Sequence, residues 1–167
     1  MTEGAVRPLR IAVVGAASAS EEEYGLARDL GGALARRGAV VICGGHGGVM
    51  EGVARGASEA GGITVGLLRT ADPDDANAWI TLPLATGLGE ARNALVAGSA
   101  EAMVAVGGAW GTLTEVAFAR KRGVEVAVLG SSAVHGLALP LLDGPEVAAE
   151  WAIRSARRNR GEMPPGG

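Results

Sequence analysis

Hydrophobic and polar positions along this chain follow two different spacings that alternate. Short continuous apolar runs indicate strands buried on both faces, and longer segments with apolar residues three or four positions apart indicate helices that bury one side. The predicted strands are 9–15, 40–43, 63–68, 79–84, 102–106 and 124–130. The predicted helices are 21–37, 49–60, one that grows out of 86–93 and reaches 100, one that begins at Thr112 and ends before Gly123, and 145–158.

This alternation predicts a single α/β domain, a Rossmann-like doubly wound parallel sheet with helices on both faces. The expected strand order is 3-2-1-4-5-6, which places a ligand cleft at the carboxyl ends of strands 1 and 4. We expect the domain to span residues 9–160, with a flexible leader at 1–8 and a disordered tail at 161–167.

Two helix starts carry the spacing of a capping box, in which a hydroxyl residue precedes a glutamate by three positions. Ser20 and Glu23 have this spacing before the first helix, and Thr112 and Glu115 have it after the fifth strand. The second start follows a glycine-rich turn, 107–111. Free N–H groups and the positive end of a helix dipole favour anions, and glycines allow close approach. The sequence therefore predicts a phosphate site here.

Glycine is the compositional outlier, with 28 of 167 residues. The glycines cluster at the ends of predicted strands, which favours close backbone approach to a ligand over general flexibility. The formal net charge is −3, and no basic face is evident in the sequence, so we expect no nucleic-acid binding. The basic cluster at 154–160 is interpreted as a solvated helix face.

The single cysteine, Cys43, excludes an intramolecular disulfide and a cysteine-rich metal site, and it is predicted to be a small buried hydrophobe. No signal-peptide pattern opens the chain, and no apolar stretch has the length of a bilayer span. We therefore expect a cytoplasmic protein without a membrane partner.

Two glycine motifs resemble those of the LONELY GUY (LOG) family, long labelled possible lysine decarboxylases. Residues 44–51 (Gly-Gly-His-Gly-Gly-Val-Met-Glu) resemble its first motif, and residues 107–115 resemble its PGGxGTxxE motif. Several members are phosphoribohydrolases that act on cytokinin riboside 5′-monophosphates. Residues 86–93 look closer to a Rossmann-like sister branch that includes a molybdenum-cofactor carrier protein. The likeness spans roughly 9–130.

The resemblance implies catalytic roles for Arg92 and Glu115, which match the family's arginine and glutamate. The chain departs from the family at Val106, where the family has proline, and at Asn93, where it usually has lysine. The candidate ligand- and phosphate-binding residues are Gly15, Ser18, Gly44, Gly45, Gly47, Gly48, Met50, Glu51, Gly87, Asn93, Gly107, Gly108, Trp110, Gly111 and Thr112.

Each candidate also has a purely structural interpretation. Glu115 is either a ligand-facing carboxylate or the far end of a capping box with Thr112. Arg92 either pairs with a phosphate or ribose, as bidentate arginines do, or is a solvated helix residue paired with Glu90. These alternatives are open at the level of the sequence.

Three further residues are ambiguous in the same way. His46 has no companion His or Cys at ligand spacing, so no metal site is predicted. Trp110 either stacks on a base or pterin or covers a subunit contact. Glu51 lies either near the ligand or in a solvated position.

Other chemistries are excluded by residue type. A pyridoxal-phosphate decarboxylase needs a Schiff-base lysine, and the only lysine, Lys121, lies between arginines at a predicted helix end. The same count excludes a Walker A loop. The glycines at 87–89 follow the fourth strand and lead to an arginine, which argues against a dinucleotide fingerprint.

Three functions are consistent with these observations. The first is a LOG-like protein that binds a phosphorylated nucleotide and hydrolyses a nucleoside 5′-monophosphate to base and ribose 5-phosphate. The second is a carrier of a phosphorylated cofactor such as molybdopterin, without turnover. The third is an assembly subunit with a vestigial pocket. We expect no required cofactor, and the candidate ligands are a nucleotide and the molybdenum cofactor.

We also expect a homo-oligomer, a dimer or larger, because related proteins are oligomeric. Small residues permit close helix contacts. Those noted in the sequence are Ala54, Gly56, Ala57, Ala94 and Ala97.

Overall fold

A single sheet of seven parallel strands forms the centre of the protein in the computed structural model, which describes residues 6–108, 110–130 and 137–164. The strands are β1 (Arg10–Gly15), β2 (Val40–Cys43), β3 (Thr64–Leu68), β4 (Leu82–Ala85), β5 (Ala102–Val106), β6 (Glu125–Leu129) and β7 (Leu141–Leu142). The helices are α1 (Glu21–Arg36), α2 (Val49–Glu59), α3 (Asn93–Ser99), α4 (Trp110–Lys121) and α5 (Pro145–Asn159).

The helices cover both faces of the sheet, which confirms the predicted fold class. The core on one face joins α1, α2 and α5 to the sheet, and the core on the other joins α3 and α4. Every residue of β5 is buried, as expected for a central strand that read as a continuous apolar run. Cys43 is buried as predicted, and burial raises the pKa of its thiol to about 12.

The predicted strand order is wrong for the fourth strand. The observed order is β4-β3-β2-β1-β5-β6-β7, so β4 lies at the edge beside β3 and β5 pairs with β1. The connection from β3 to β4 contains a 3-10 turn at Pro73–Asp75 in place of a covering helix. The switch point, where ligands bind in open α/β sheets, therefore lies between β1 and β5.

Only one of the two predicted capping boxes forms. Ser20 Oγ accepts a bond from Glu23 N at 3.1 Å, and Ser20 N donates to Glu23 Oε2 at 2.9 Å. The predicted box of Thr112 and Glu115 does not form, because α4 begins at Trp110 and Thr112 therefore lies within its first turn. Thr112 Oγ1 is buried with no hydrogen-bond partner among the described residues. Neither Thr112 nor Glu115 makes a capping hydrogen bond among the residues that the structure describes.

Helices α1 and α2 approach each other closely through glycines. A Cβ at Gly56 would lie 1.7 Å from the carbonyl oxygen of Arg28, and one at Gly31 would lie 2.1 Å from that of Val53. Ala54 and Ala57 are fully buried within the chain. The small residues of α2 therefore serve helix packing inside the protein.

The basic cluster at 154–160, which covers the end of α5, is not a uniformly solvated face. Arg160 contacts the buried carboxylate of Glu101, with 2.9 Å between Nη2 and Oε2, and it donates to the carbonyl oxygens of Arg7 and Pro8. Parts of the predicted leader (1–5) and tail (165–167) lie outside the described residues. None of the helices in the described ranges is long and apolar enough to cross a membrane.

Candidate functional site

A cavity of about 200 Å³ lies at the carboxyl ends of the strands, beside the first turns of α4. It is bounded by the loops that follow β1, β2 and β3, by the 3-10 turn Gly89–Arg92, and by α3 and α4. The predicted site residues that line it are Gly15, Met50, Arg92, Asn93, Gly111, Thr112 and Glu115. Together they bring the two resembling motifs and the segment 86–93 to one place.

Arg92 is a buried anchor between neighbouring strands, so the solvated-helix interpretation is wrong. Its side chain is 6% exposed, and Nη1 donates to the carbonyl oxygen of Gly44, at 2.7 Å, and to that of Leu67. Both carbonyls lie at carboxyl ends, of β2 and β3. Burial lowers the pKa of Arg92, and the nearby Glu115 opposes this shift.

The opposite edge of the Arg92 guanidinium makes no hydrogen bond to any described residue. Nε is buried without a hydrogen-bond partner in the described parts of the chain. Since Nη1 is engaged by backbone, Nε and Nη2 form the edge that can grip an anion with two parallel bonds. Arg92 lines the cavity, and this edge is its candidate two-donor fork for a phosphate or carboxylate.

Glu115 presents a buried carboxyl group to the same cavity. It is 7% exposed, and burial raises its pKa to about 7; Arg92 opposes the shift and Glu90 adds to it. Among the described residues no salt bridge joins Glu115 to Arg92, although both line the cavity. Burial thus shifts this carboxyl group towards its protonated form, compared with an exposed glutamate.

Unpartnered polar atoms concentrate at this cavity. Four buried side-chain atoms in the described ranges lack hydrogen-bond partners: His46 Nε2, Thr70 Oγ1, Arg92 Nε and Thr112 Oγ1. Three of the four belong to cavity-lining residues. Native proteins pair most such atoms, so a cluster without partners indicates a place where a polar ligand completes the bonding.

His46 is another cavity-lining residue, which the sequence analysis considered only for metal binding. Burial lowers its pKa, and the charges of Arg92 and Arg69 lower it further, so the imidazole is neutral near pH 7. No group of three or more His, Cys, Asp or Glu side chains in the described residues could hold a metal ion.

The glycines of the first motif determine the path of the backbone beside the cavity. Gly48 has φ +64, and a Cβ there would lie 2.2 Å from the carbonyl oxygen of Ala16, so the loops after β1 and β2 meet at this glycine. A Cβ at Gly44 would lie 2.6 Å from Nη1 of Arg92. None of the four glycines of this motif, Gly44, Gly45, Gly47 and Gly48, is among the cavity-lining residues.

Six other candidates lie away from the cavity lining. Ser18, Gly87 and Gly108 are exposed, and Glu51 accepts a 3.4 Å hydrogen bond from Tyr24 Oη. A Cβ at Gly107 would lie 2.2 Å from Glu23 Oε1, so this glycine accommodates the α1 cap. Trp110 is 82% exposed at the start of α4.

Four lining residues besides His46 escaped the sequence analysis as ligand candidates: Ala16, Ala17, Arg69 and Glu90. Arg69 could have been identified from the sequence, because it directly follows β3 at the carboxyl end, where ligands bind in such sheets. Arg69 contacts Glu90 at 3.5 Å, and both side chains are mostly exposed.

Glu115→Gln is expected to stabilise the protein in a pH-dependent way. The pKa of Glu115 is higher in the folded protein, about 7, than in an unfolded chain, so the ionised form costs stability. That cost is absent below about pH 4, develops as pH rises, and is complete above about pH 7. Urea unfolding should therefore show a gain of about 3 kcal/mol at pH 8 and almost none at pH 4.

The matched control is Glu90→Gln, which removes the same charge from an exposed side chain of the same cavity wall. It should change the free energy of unfolding by less than about 0.5 kcal/mol at either pH. An equal gain in both variants would contradict the burial argument for Glu115.

The parallel sheet, the buried arginine and the cavity at the first turn of a helix together define a LOG-like protein of the Rossmann type. The model of the SLOG cluster4 family matches residues 8–148, and the chain belongs to this family. The resemblance found in the glycine motifs is thereby confirmed.

Three similar proteins cover nearly the whole chain. A protein of Archaeoglobus fulgidus is 38% identical over 148 residues, which are 89% of this chain and 97% of that protein. The molybdenum cofactor binding protein of Rippkaea orientalis is similar in structure, with TM-score 0.82, 31% identity, and coverage of 89% and 97%. The molybdenum cofactor carrier protein of Chlamydomonas reinhardtii gives TM-score 0.79, 31% identity, and coverage of 89% and 98%.

Proposed function

We propose that this protein is a carrier that binds a phosphorylated cofactor of the molybdopterin type in the cavity between Arg92 and α4, without turnover. The observation that carries the proposal is the cluster of unpartnered buried polar atoms on Arg92, Thr112 and His46. The likeness to two proteins described as binding or carrying molybdenum cofactor supports this choice of ligand.

The donor set fits the phosphoryl end of such a cofactor. The Nε–Nη2 edge of Arg92, the hydroxyl of Thr112 and the first-turn N–H groups of α4 are all hydrogen-bond donors, and the helix end adds partial positive charge. These residues would hold the phosphate. When bound, the pterin and its metal supply whatever chemistry an acceptor protein uses; the chain's own contribution is to hold and shield the ligand.

The size of the cavity indicates that only one end of the ligand is enclosed. At about 200 Å³ it is smaller than the 300–1,000 Å³ of complete small-molecule sites. The remainder of the cofactor would extend over the surface beside exposed Trp110, whose ring can stack on a pterin.

A second candidate is phosphoribohydrolase activity, which the shared cavity of Arg92 and Glu115 favours. In that reaction a carboxylate stabilises positive charge on the ribose while fixed donors hold the phosphate. The carboxylate must be ionised for this role. Burial raises the pKa of Glu115 and so disfavours the ionised form that hydrolysis needs, which supports binding as the first choice.

One experiment separates the two functions. Purified protein is mixed with a fluorescent phosphorylated pterin and passed through a gel-filtration column, and separate samples are incubated with AMP and cytokinin riboside 5′-monophosphates. We expect the pterin to co-elute with the protein and no free base to be released. Release of base by the wild type but not by Glu115→Gln would instead establish the hydrolase.

We also propose, as expected from the sequence, that the protein is a cytoplasmic homo-oligomer. Exposed apolar side chains on the face that carries α3 and α4, among them Leu84 and Leu95, support association of subunits. The net charge of −3 supports a small-molecule ligand in preference to nucleic acid.

A further inference from the structure

Glu115 places an acidic group beside the position proposed for the phosphate. We propose that binding of an anion in this cavity is coupled to the uptake of one proton by the Glu115 carboxyl group. This inference rests on the proposed function, since it concerns the same cavity. It assigns Glu115 the role of a proton-linked ligand contact.

The spacing on α4 brings the carboxyl group and the anion together. Thr112 and Glu115 are three residues apart, a spacing that places side chains about 5–6 Å from each other on one helix face. Both are buried, and both line the cavity. An anion held by Thr112 and the first turn of α4 therefore lies next to the Glu115 carboxyl group.

Two negative charges at that separation repel strongly where water is scarce. A protonated carboxyl group removes the repulsion, and its O–H can donate a hydrogen bond to an oxygen of the anion. The bound state thus favours protonated Glu115, and by linkage a bound anion raises the proton affinity of this side chain.

The surrounding charges leave Glu115 as the group that titrates. Around the cavity, Arg92 and Arg69 are cationic and Glu90 is exposed. The pKa of His46 is lowered, first by burial, and burial raises the pKa of the nearby Cys43 thiol to about 12. The elements packed on α4 are α3, β1, β5 and β6. Their ionisable residues are Arg10 and Glu125. These two residues begin β1 and β6, so they lie at the opposite ends of the strands from the cavity.

The test uses inorganic sulfate, which keeps its charge between pH 6 and 8.5, whereas a phosphate monoester takes up a proton near pH 6. Calorimetric titrations in two buffers of different ionisation enthalpy count the protons taken up. We expect the wild type to take up about one proton at pH 8 and to lose about tenfold in affinity per pH unit above pH 7.5. Glu115→Gln should take up none and bind at least about tenfold more tightly at pH 8.5.

His46→Gln provides the control for the other titratable group of the cavity, and it should keep the pH dependence of the wild type. Sulfate affinity that is independent of pH, a dependence that persists in Glu115→Gln, or one that disappears in His46→Gln would each overturn the coupling. If the wild type binds no sulfate at any pH, retention of the fluorescent phosphorylated pterin decides the rest. If that protein still retains the pterin, only the proton coupling is overturned. If it does not retain the pterin, the proposed function is overturned as well.

Discussion

Replacing Arg92 with methionine is expected to lower the affinity for a phosphorylated pterin at least about a hundredfold. Methionine fills a similar volume but removes the charge and the Nε–Nη2 edge that we propose as the anion contact. Two charge-assisted hydrogen bonds are lost together, and each contributes about 1.5–3 kcal/mol. Fluorescence titration of the variant with the pterin measures the loss directly.

The same substitution also leaves the carbonyl oxygens of Gly44 and Leu67 without the Nη1 donor. Binding should therefore be measured where circular dichroism shows the variant to be folded. Arg69→Met is the matched control, because it removes an equal charge from the same cavity at an exposed position. We expect a loss of no more than about fivefold for Arg69→Met. Similar losses in both variants would mean that net charge, and not the anchored fork, governs binding.

Gly56→Ala is expected to destabilise the protein by about 4 kcal/mol or more. In an ordinary helix interior this change is stabilising, because glycine has more backbone freedom to lose. Here the added Cβ would lie 1.7 Å from the carbonyl oxygen of Arg28, so α1 and α2 must separate. Urea unfolding at constant pH measures the difference.

Gly25→Ala in α1 is the control, since no atom lies within 4 Å of a Cβ placed there. It should stabilise the protein by about 0.5–1 kcal/mol. If both alanine variants gained stability, the close contact between α1 and α2 would not be as tight as the structure shows.

The fold class was predictable because most of the strands are continuous apolar runs. β2 and β5 were predicted with their observed bounds, since turn glycines follow both runs directly. The order of the strands was not predictable, because β4 is a four-residue edge strand and the connection before it contains no helix. Local sequence contains no information on which neighbour so short a strand pairs with.

The candidate site was predictable in its residue types but not in their contacts. Arg92, Thr112 and Glu115 were identified from motif resemblance, and the structure brings them to one cavity. The capping interpretation of Thr112 failed because helix α4 starts two residues earlier, at Trp110. The anchoring of Arg92 by carbonyls 48 and 25 residues away depends on tertiary structure alone.

The edge position of β4 has a consequence for how relatives of this protein can diverge. To reach β5 from β4, the chain must cross four strand spacings, about 19 Å, over the carboxyl ends of β3, β2 and β1. Arg92 is carried on that traverse, outside the hydrogen-bonded ladder of the sheet. Insertions, deletions or substitutions in the connection from β4 to β5 can therefore change ligand preference without disturbing the sheet.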